Sequence, residues 1–124
     1  MPSCIPAEKS LDVNTIVAAK FCQLWLTCKD KEEAAKIGRS LLDKKLIACY
    51  GVLSSFKGEF WWEGKIKKAD EALLELLTRL DLFDEIEREV AKLHSYDTFV
   101  LEAVSVTRIS KNAKQWLKSE LKNV

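Results

Sequence analysis

The sequence predicts one domain in which β-strands and α-helices share a single core. Residues 20–28 alternate in the manner of a strand, with Cys, Leu, Leu and Cys on one face. Asp30 and Glu33 have the spacing of a helix cap, and apolar residues then recur at helical spacing to about Lys45. The stretch 47–62 is again rich in strand-forming residues and carries no helix signal.

Length and composition indicate a globular protein with one core. The chain has 124 residues, of which 48% are hydrophobic and 31% charged, a balance typical of folded domains rather than disordered chains. We expect residues 20–124 to form the domain. Residues 1–19, with two prolines among the first six positions, are predicted to be a loosely ordered N-terminal extension.

Charge and cysteine content narrow the classes of function. A net charge of +1 provides no broad field that would attract nucleic acid or an anionic membrane. No apolar stretch approaches the roughly 20 residues of a membrane helix, and no secretory leader pattern is visible. The four cysteines lack the paired spacing of a structural zinc site. A cytoplasmic protein with reduced thiols is therefore expected.

The long strand-like arm predicts a second surface. Fully extended, 47–62 would reach about 50 Å, which exceeds the width of a domain this size. The arm must bend, break or leave the domain, and Gly51 and Gly58 are the predicted bend sites. Trp61 and Trp62 point to opposite faces of a strand, so at least one of them needs another chain or a ligand to cover it.

The second half of the chain contains an ambiguous segment. Residues 69–77 have helical spacing and strong helix formers, yet no breaker separates them from a second helix, which a cap at Asp81 would open. Together they would give a helix of about 25 residues, which is long for a compact domain. Residues 98–106 are strand-like, and 110–121 suggest a closing helix with Trp116 as its anchor.

A family resemblance resolves the ambiguity. The chain resembles the CutA family, named for divalent-cation tolerance, without gaps from Thr27 to Leu117. The motifs that carry the resemblance are Thr27-Cys28-x-Asp30, Leu46-x-Ala48-Cys49, Trp62-Glu63-Gly64-Lys65-Ile66, Thr78-Arg79, Leu93-His94-x-Tyr96-Asp97 and Trp116-Leu117. Two positions that are polar in the family are Gly51 and Leu77 here.

The resemblance implies an α+β, ferredoxin-like β-α-β-β-α-β fold with a long β2-β3 hairpin and a C-terminal helix. Residues 70–79 then become the third strand. It also implies a tight homotrimer in which the hairpin reaches neighbouring subunits, and this agrees with the excessive length of the arm. Trp61, Trp62 and Trp116 are the predicted interface residues.

Metal binding is one predicted function. Cys28, Cys49 and His94 are the candidate ligands for Cu²⁺ or another divalent cation. In a ferredoxin-like sheet Cys28 and Cys49 would lie at opposite ends, so a site within one subunit is not obvious, and buried packing thiols are the alternative. His94, near the end of a helix, is equally explained as a helix-capping residue.

A polar crevice between subunits is the other predicted site. Its candidate residues are Trp62, Glu63, Lys65, Arg79, His94, Tyr96 and Asp97. These side chains would either hold a metal ion or small ligand, or form salt bridges and hydrogen bonds to backbone groups at the interface.

Catalysis is not expected, because no nucleophile motif, dinucleotide-binding glycine pattern or phosphate-binding loop is present. Three classes of function remain open. The first is a trimeric sensor of metals or small ligands, similar in architecture to PII signalling proteins. The second is a non-catalytic interaction scaffold. An RNA-binding module of the same topology ranks last, since its signature and basic charge are missing.

Overall fold

The computed structural model describes residues 20–123, so the predicted extension 1–19 lies outside the described residues. The strands are β1 (Phe21–Cys28), β2 (Cys49–Trp62), β3 (Lys65–Arg79) and β4 (Leu101–Ser105), and the helices are α1 (Lys31–Asp43), α2 (Phe83–Leu93) and α3 (Lys111–Glu120). A 3-10 turn, Leu80–Leu82, precedes α2. This order confirms the predicted β-α-β-β-α-β fold with a C-terminal helix.

The four strands form one antiparallel sheet in the order β2-β3-β1-β4. The helices bury one face of this sheet. The core contains the predicted inner face of β1 and apolar residues of every helix: Cys22, Leu24, Leu26, Cys28, Ile37, Leu41, Leu74, Leu76, Ile86, Val90 and Leu117. Trp25, on the opposite face of β1, remains exposed, which confirms the period-two pattern of this strand.

The ambiguous segment 70–79 is a strand, as the resemblance implies, and the helical interpretation of 69–77 is wrong. Leu74 pairs with Leu26 of β1 on one side and with Val52 of β2 on the other. Strand neighbours on both sides and helices on one face bury five of the seven residues from 72 to 78, and Glu75 and Leu77 are half-buried. A leucine-rich run in such surroundings shows no alternation, so tertiary pairing overrides its helix propensity.

Helix α1 is bounded as its local sequence predicts, two residues shorter at its end. The Asp30 carboxylate accepts a hydrogen bond from the Glu33 N–H at 2.8 Å, which satisfies one free donor of the first turn. The helix ends at Asp43, and Lys45 adopts a left-handed φ of 58°. The N–H groups of Lys45 and Leu46 then bond back into the last turn, which is a Schellman ending.

Two helix predictions require correction. Asp81 does not cap α2, which starts at Phe83 without a side-chain cap. Asp81 lies in the 3-10 turn and accepts a hydrogen bond from Arg79 Nε at 2.6 Å instead. In α3 the buried anchor within one chain is Leu117, whereas Trp116 is left 40% exposed, because only one side of this helix faces the core.

The β2-β3 hairpin leaves the domain. Its register shifts between Leu53 and Phe56, where Ser55 has a φ of 58°, so the irregularity is at the two serines and not at the predicted Gly51 or Gly58. Every residue from 53 to 68 is exposed. The turn at Glu63 and Gly64 has φ of 50° and 77°, the two positive values of a type I′ hairpin turn.

Candidate functional site

Within one chain the predicted site residues fall into three separate groups. Trp62, Glu63 and Lys65 lie at the tip of the hairpin. Arg79 lies at the opposite end of β3, on the order of 45 Å along an extended strand. The third group, His94, Tyr96 and Asp97, follows α2 and lies near the end of β1. A single subunit therefore does not assemble the predicted crevice.

Arg79 has a structural role in the chain. Its guanidinium donates from Nε to Asp81 and from a terminal nitrogen to the backbone oxygen of Lys122 at 2.8 Å. The Lys122 N–H in turn donates to the Lys45 oxygen at 2.8 Å. These contacts join the end of β3 to the segment that follows α3. Nε and one terminal nitrogen of Arg79 are therefore already hydrogen-bonded within the chain.

The predicted metal ligands separate into one pair and one outlier. Cys28 is level with Ala72 of β3, and Cys49 is level with Leu77. The two thiols are thus five strand positions apart, about 17 Å, as the ferredoxin-like topology predicts. Cys28 is buried among packing residues, whereas Cys49 is exposed within one chain.

Cys28 and His94 do come together, and the third member of their cluster is Glu33. The Cys28 sulfur, a Glu33 carboxylate oxygen and a His94 ring nitrogen all lie within 4.8 Å of one another. Cys28 ends β1, Glu33 belongs to the first turn of α1, and His94 directly follows α2. Three chain segments meet here because the ferredoxin-like connections bring these ends to one edge of the sheet.

The sequence interpretation missed Glu33 as a site residue because it assigned Glu33 to the helix cap. The carboxylate does accept backbone hydrogen bonds, from the Lys29 N–H at 3.0 Å and from the Ser95 N–H at 2.9 Å. Ser95 follows His94, so Glu33 joins the start of α1 to the end of α2. Its position five residues after a cysteine, across a strand-to-helix turn, was the available signal.

The His94 ring is held in one tautomer. Its Nε2 lies 2.8 Å from the Thr27 carbonyl oxygen, and its Nδ1 lies 3.0 Å from the Tyr96 N–H. A carbonyl can only accept and an N–H can only donate, so the ring is neutral with its proton on Nε2. The side chain is fully buried and stacks on Phe99 at 5.3 Å. His94 occupies the C-cap position, but the ring bonds to β1 rather than to its own helix.

Burial and nearby carboxylates shape the electrostatics of the cluster. Burial, followed by the charges of Glu33, Glu71 and Asp30, raises the pKa of the Cys28 thiol to about 12. Burial also tends to raise the pKa of Glu33, but the hydrogen bonds from Lys29 and Ser95 outweigh it and hold that pKa below its usual value. The thiol is therefore protonated at neutral pH beside an ionised carboxylate.

Tyr96 completes the polar environment. Its hydroxyl donates to Glu71 at 2.7 Å, and burial together with this bond raises the pKa of the phenol. Its ring lies 4.8 Å from that of His94. Asp97, next in the chain, is exposed. Tyr96 thus belongs to the same cluster, whereas Asp97 faces outward.

The other thiols resemble Cys28 only in part. Burial and the charge of Asp81 raise the pKa of Cys22 to about 11. Burial and the charge of Glu75 raise the pKa of Cys49 as well. Within residues 20–123, neither Cys22 nor Cys49 belongs to a group of three metal-ligating side chains, whereas Cys28 does.

In the same range no helix has both the length and the apolar character needed to cross a membrane.

Comparison with known proteins agrees with this architecture. A profile of the CutA1 divalent ion tolerance protein family matches residues 22–120. The divalent-cation tolerance protein CutA of Archaeoglobus fulgidus is 38% identical over 94 residues, which cover 76% of this chain and 91% of that protein. The protein of the same name from Pyrococcus horikoshii is 34% identical over 99 residues, covering 80% and 96%.

Solved structures share the whole described fold. The periplasmic divalent cation tolerance protein CutA from Archaeoglobus fulgidus matches with a TM-score of 0.79 at 35% identity, over 82% of this chain and 99% of that one. CutA1 from Oryza sativa matches with a TM-score of 0.82 at 26% identity, over 87% and 99%. Sequence and backbone similarity thus run together through the sheet, the hairpin and the helices, and on both grounds this chain belongs to the CutA1 divalent ion tolerance protein family.

Proposed function

We propose that this protein acts as a non-catalytic homotrimer in the response to divalent metal ions, binding Cu²⁺ or another divalent cation, or a small ligand, at clefts between subunits. The observation that carries the proposal is the exposed apolar hairpin. The family's relatives are named for divalent-cation tolerance, and the cation class is taken from that name.

The hairpin lacks apolar partners within its own chain. Trp61 is 71% exposed, and Ile66, directly opposite it on the neighbouring strand, is 59% exposed. Phe60 and Trp62, on the other face of the same ribbon, are also exposed. A two-stranded ribbon is marginally stable alone in water, and an exposed apolar patch of this kind is typical of an interface. Both faces of the hairpin therefore require cover from outside the chain.

A closed ring of subunits satisfies this requirement. If each hairpin lies on the next subunit, the contact is head-to-tail, and a head-to-tail contact must close into a ring to avoid an open filament. Three copies form the smallest ring of this type. The resemblance to the CutA family also implies a trimer, so the geometry of the arm and the family point to the same assembly.

The ring would assemble the clefts that one chain separates. The hairpin tip carries Trp62, Glu63 and Lys65 away from its own domain. On a neighbouring subunit these side chains would meet the group near the end of β1, where Tyr96 lies beside the buried His94 and Asp97 is exposed. A cation or small ligand bound there would contact two subunits, which makes ligand binding sensitive to assembly.

Light scattering coupled to gel filtration tests the assembly. The wild-type chain of 14.1 kDa should elute with a mass of about three chains, roughly 42 kDa. Trp61→Asp should reduce this mass to that of a monomer, because an aspartate in the interface would be buried without a partner. Leu42→Asp, at an exposed position of α1, is the matched control and should remain trimeric. A wild-type protein that is only monomeric would overturn the proposal.

Thermal melting tests the ligand. A compound that binds only the folded protein raises the melting temperature by mass action. Copper, zinc, nucleotides and small anions are each added to the wild-type protein and to Lys65→Ala. We expect a rise with at least one divalent metal or small ligand, and a smaller rise in the Lys65 variant. A trimer that no ligand stabilises would instead support the interaction scaffold.

A cytoplasmic location is part of the same proposal. It is supported by the free thiols of Cys22, Cys28 and Cys49. The relatives carry different locations in their names, periplasmic for a protein of Archaeoglobus fulgidus and chloroplastic for one of Arabidopsis thaliana. Fractionation of cells that produce the full chain tests the location directly, and recovery outside the cytoplasmic fraction would contradict it.

A further inference from the structure

We propose that Cys28, Glu33 and His94 form a three-ligand site, inside each subunit, for a thiophilic divalent cation of the zinc and cadmium class. The fourth coordination position is left to water or to an added ligand. This inference goes beyond the proposed clefts between subunits, because it gives a cation a separate location inside one chain. It does not depend on the assembly, because all three ligands belong to one chain.

The donor set and its spacing fit such an ion. Zinc binds thiolate sulfur at about 2.3 Å and imidazole nitrogen or carboxylate oxygen at about 2.0 to 2.2 Å, so ligand atoms around a tetrahedral ion lie on the order of 3.3 to 3.8 Å apart. The present separations are within 4.8 Å. Side-chain movements of about 1 Å would bring the three ligand atoms to these distances. One thiolate, one imidazole and one carboxylate suit zinc better than copper(II), which favours square-planar nitrogen and oxygen ligands.

The surroundings of His94 already have the form of a metal site's supporting shell. A ligating histidine usually donates its second ring N–H to a carbonyl or carboxylate. Here Nε2–H donates to the Thr27 oxygen, which fixes the ring and leaves the lone pair on Nδ1. That nitrogen lies 4.0 Å from the nearer Glu33 oxygen. To bind a cation, Nδ1 must release only the Tyr96 N–H.

The Glu33 carboxylate is likewise held in position. The N–H groups of Lys29 and Ser95 each donate to one of its oxygens. Lys29 and Ser95 are themselves exposed, so the site lies just beneath the surface and a cation has a short path to it. A carboxylate oxygen has several lone pairs, so it can keep a backbone hydrogen bond while it binds a cation.

The local charge favours a cation. Asp30, Glu33 and Glu71 surround Cys28 closely enough to act on its thiol. The donors to these carboxylates are backbone N–H groups and the hydroxyls of Ser95 and Tyr96, which are uncharged. A divalent cation would neutralise this excess and bind the sulfur as a thiolate. The thiol proton leaves to solvent, so each bound ion releases one proton.

Metal titration of the purified full chain tests the site. After treatment with a chelator and dialysis, the protein is titrated with zinc chloride by calorimetry and with cobalt chloride by absorbance. We expect one ion per chain and a thiolate-to-cobalt charge-transfer band in the near ultraviolet. Cys28→Ser should remove that band. Glu33→Gln, which keeps the size of the side chain, should weaken zinc binding at least about tenfold.

Two cysteine variants serve as matched controls. Cys22→Ser lies on the same buried face of β1, and Cys49→Ser lies at the far end of the sheet. Both should keep the cobalt band and the zinc affinity. Far-ultraviolet circular dichroism of each metal-free variant shows whether it has folded. If Cys28→Ser does not fold, Glu33→Gln and the cobalt spectrum of the wild-type protein decide the question.

The outcomes separate this site from the trimer. Zinc affinity that survives Cys28→Ser and Glu33→Gln, or a wild-type cobalt complex without the charge-transfer band, would overturn the site and leave the assembly untouched. A monomeric protein that still binds one zinc ion per chain through Cys28 would support the site and remove the assembly.

Discussion

Both halves of strand β3 pair with β2, but only one half has a second strand beside it and helices over one face. From Lys65 to Leu77 the strand pairs with β2, apart from the irregularity near Leu53. The second half, from residue 72 onward, also pairs with β1 and is covered by helices, and most of it is buried. The first half extends past Cys28, where β1 ends, and residues 65 to 68 are all exposed.

Burial along β3 therefore depends on the neighbouring strands and helices and not on composition. The hairpin tip contains two tryptophans, a phenylalanine and an isoleucine, which is as apolar a set as many segments of the core. The tip lacks a third strand and a helix. The stability of one chain therefore comes from the inner half of β3, whereas the apolar tip is free to stabilise an assembly.

Truncation of one aliphatic side chain in each half of β3 should give the most different effects. Leu74→Ala removes a fully buried side chain and should lower the free energy of unfolding by about 2 to 5 kcal/mol. Ile66→Ala removes an exposed one and should leave the fold of the chain unchanged while it weakens the assembly. Chemical denaturation at several protein concentrations measures both effects.

Concentration is the control in this experiment. Unfolding coupled to dissociation of an assembly depends on protein concentration. A weakened interface therefore lowers the midpoint where the wild-type protein is assembled and leaves it unchanged where the chain is already monomeric, whereas loss of core packing lowers it at every concentration. If Ile66→Ala shifts the midpoint as strongly as Leu74→Ala at all concentrations, the tip belongs to the core of the single chain. The contrast between the halves would then be wrong.

Two glycines test how tightly β2 is held along its inner half. A Cβ at Gly38 in α1 would lie 2.6 Å from the Tyr50 ring carbon that joins the side chain's own Cβ, and 2.7 to 2.9 Å from two further ring atoms. Because this is the rigid base of the ring, strand and helix must move apart. Gly38→Ala should therefore lower the free energy of unfolding by about 1 to 3 kcal/mol through overpacking. The higher helix propensity of alanine should offset about 1 kcal/mol of this loss.

Gly51→Ala is the matched control, because nothing lies within 4 Å of a Cβ at that position of β2. Its free energy of unfolding should stay within about 0.5 kcal/mol of the wild-type value. Thermal melting of both variants measures the contrast. Equal melting temperatures for Gly38→Ala and the wild-type protein would mean that α1 and β2 are more loosely packed than the contact indicates.

Local sequence pattern was sufficient to predict those elements of which one face is exposed to water. The alternation in β1 and the Asp30 cap of α1 could both be predicted, because each depends on residues close in the sequence. Segment 70–79 could not be predicted from pattern, since leucines occupy both faces of this strand and its sequence therefore does not alternate. The family resemblance was needed to assign it.

The candidate site could be predicted only in part for a related reason. Cys28 and His94 were chosen for their chemistry, which the sequence displays. Glu33 was assigned to a helix cap, and its proximity to His94 depends on how three chain segments meet in the fold. Cys49 has equal chemistry but lies at the far end of the sheet. Residue type predicts possible ligands, and topology decides which of them meet.

A substitution in the hairpin turn should have only a small effect, confined to the outer half of β3. Glu63 has a φ of 50°, a left-handed value that asparagine adopts more readily than glutamate, and Asn-Gly is the preferred pair for a type I′ turn. Glu63→Asn should therefore stabilise the hairpin by a few tenths of a kcal/mol. Hydrogen exchange of the amides between residues 56 and 69 should slow in the variant.

Where that gain appears tells whether the two halves unfold together. If the tip opens on its own, exchange at the tip slows while exchange in the inner half, near Leu74 and Leu76, keeps its wild-type rate. Assembly ties the tip to neighbouring subunits, so at trimer-forming concentrations the same substitution should also raise the melting temperature slightly. A rise of equal size in the Trp61→Asp monomer would show that the tip and the core form one cooperative unit within a single chain, and the division of β3 into two energetic halves would fail.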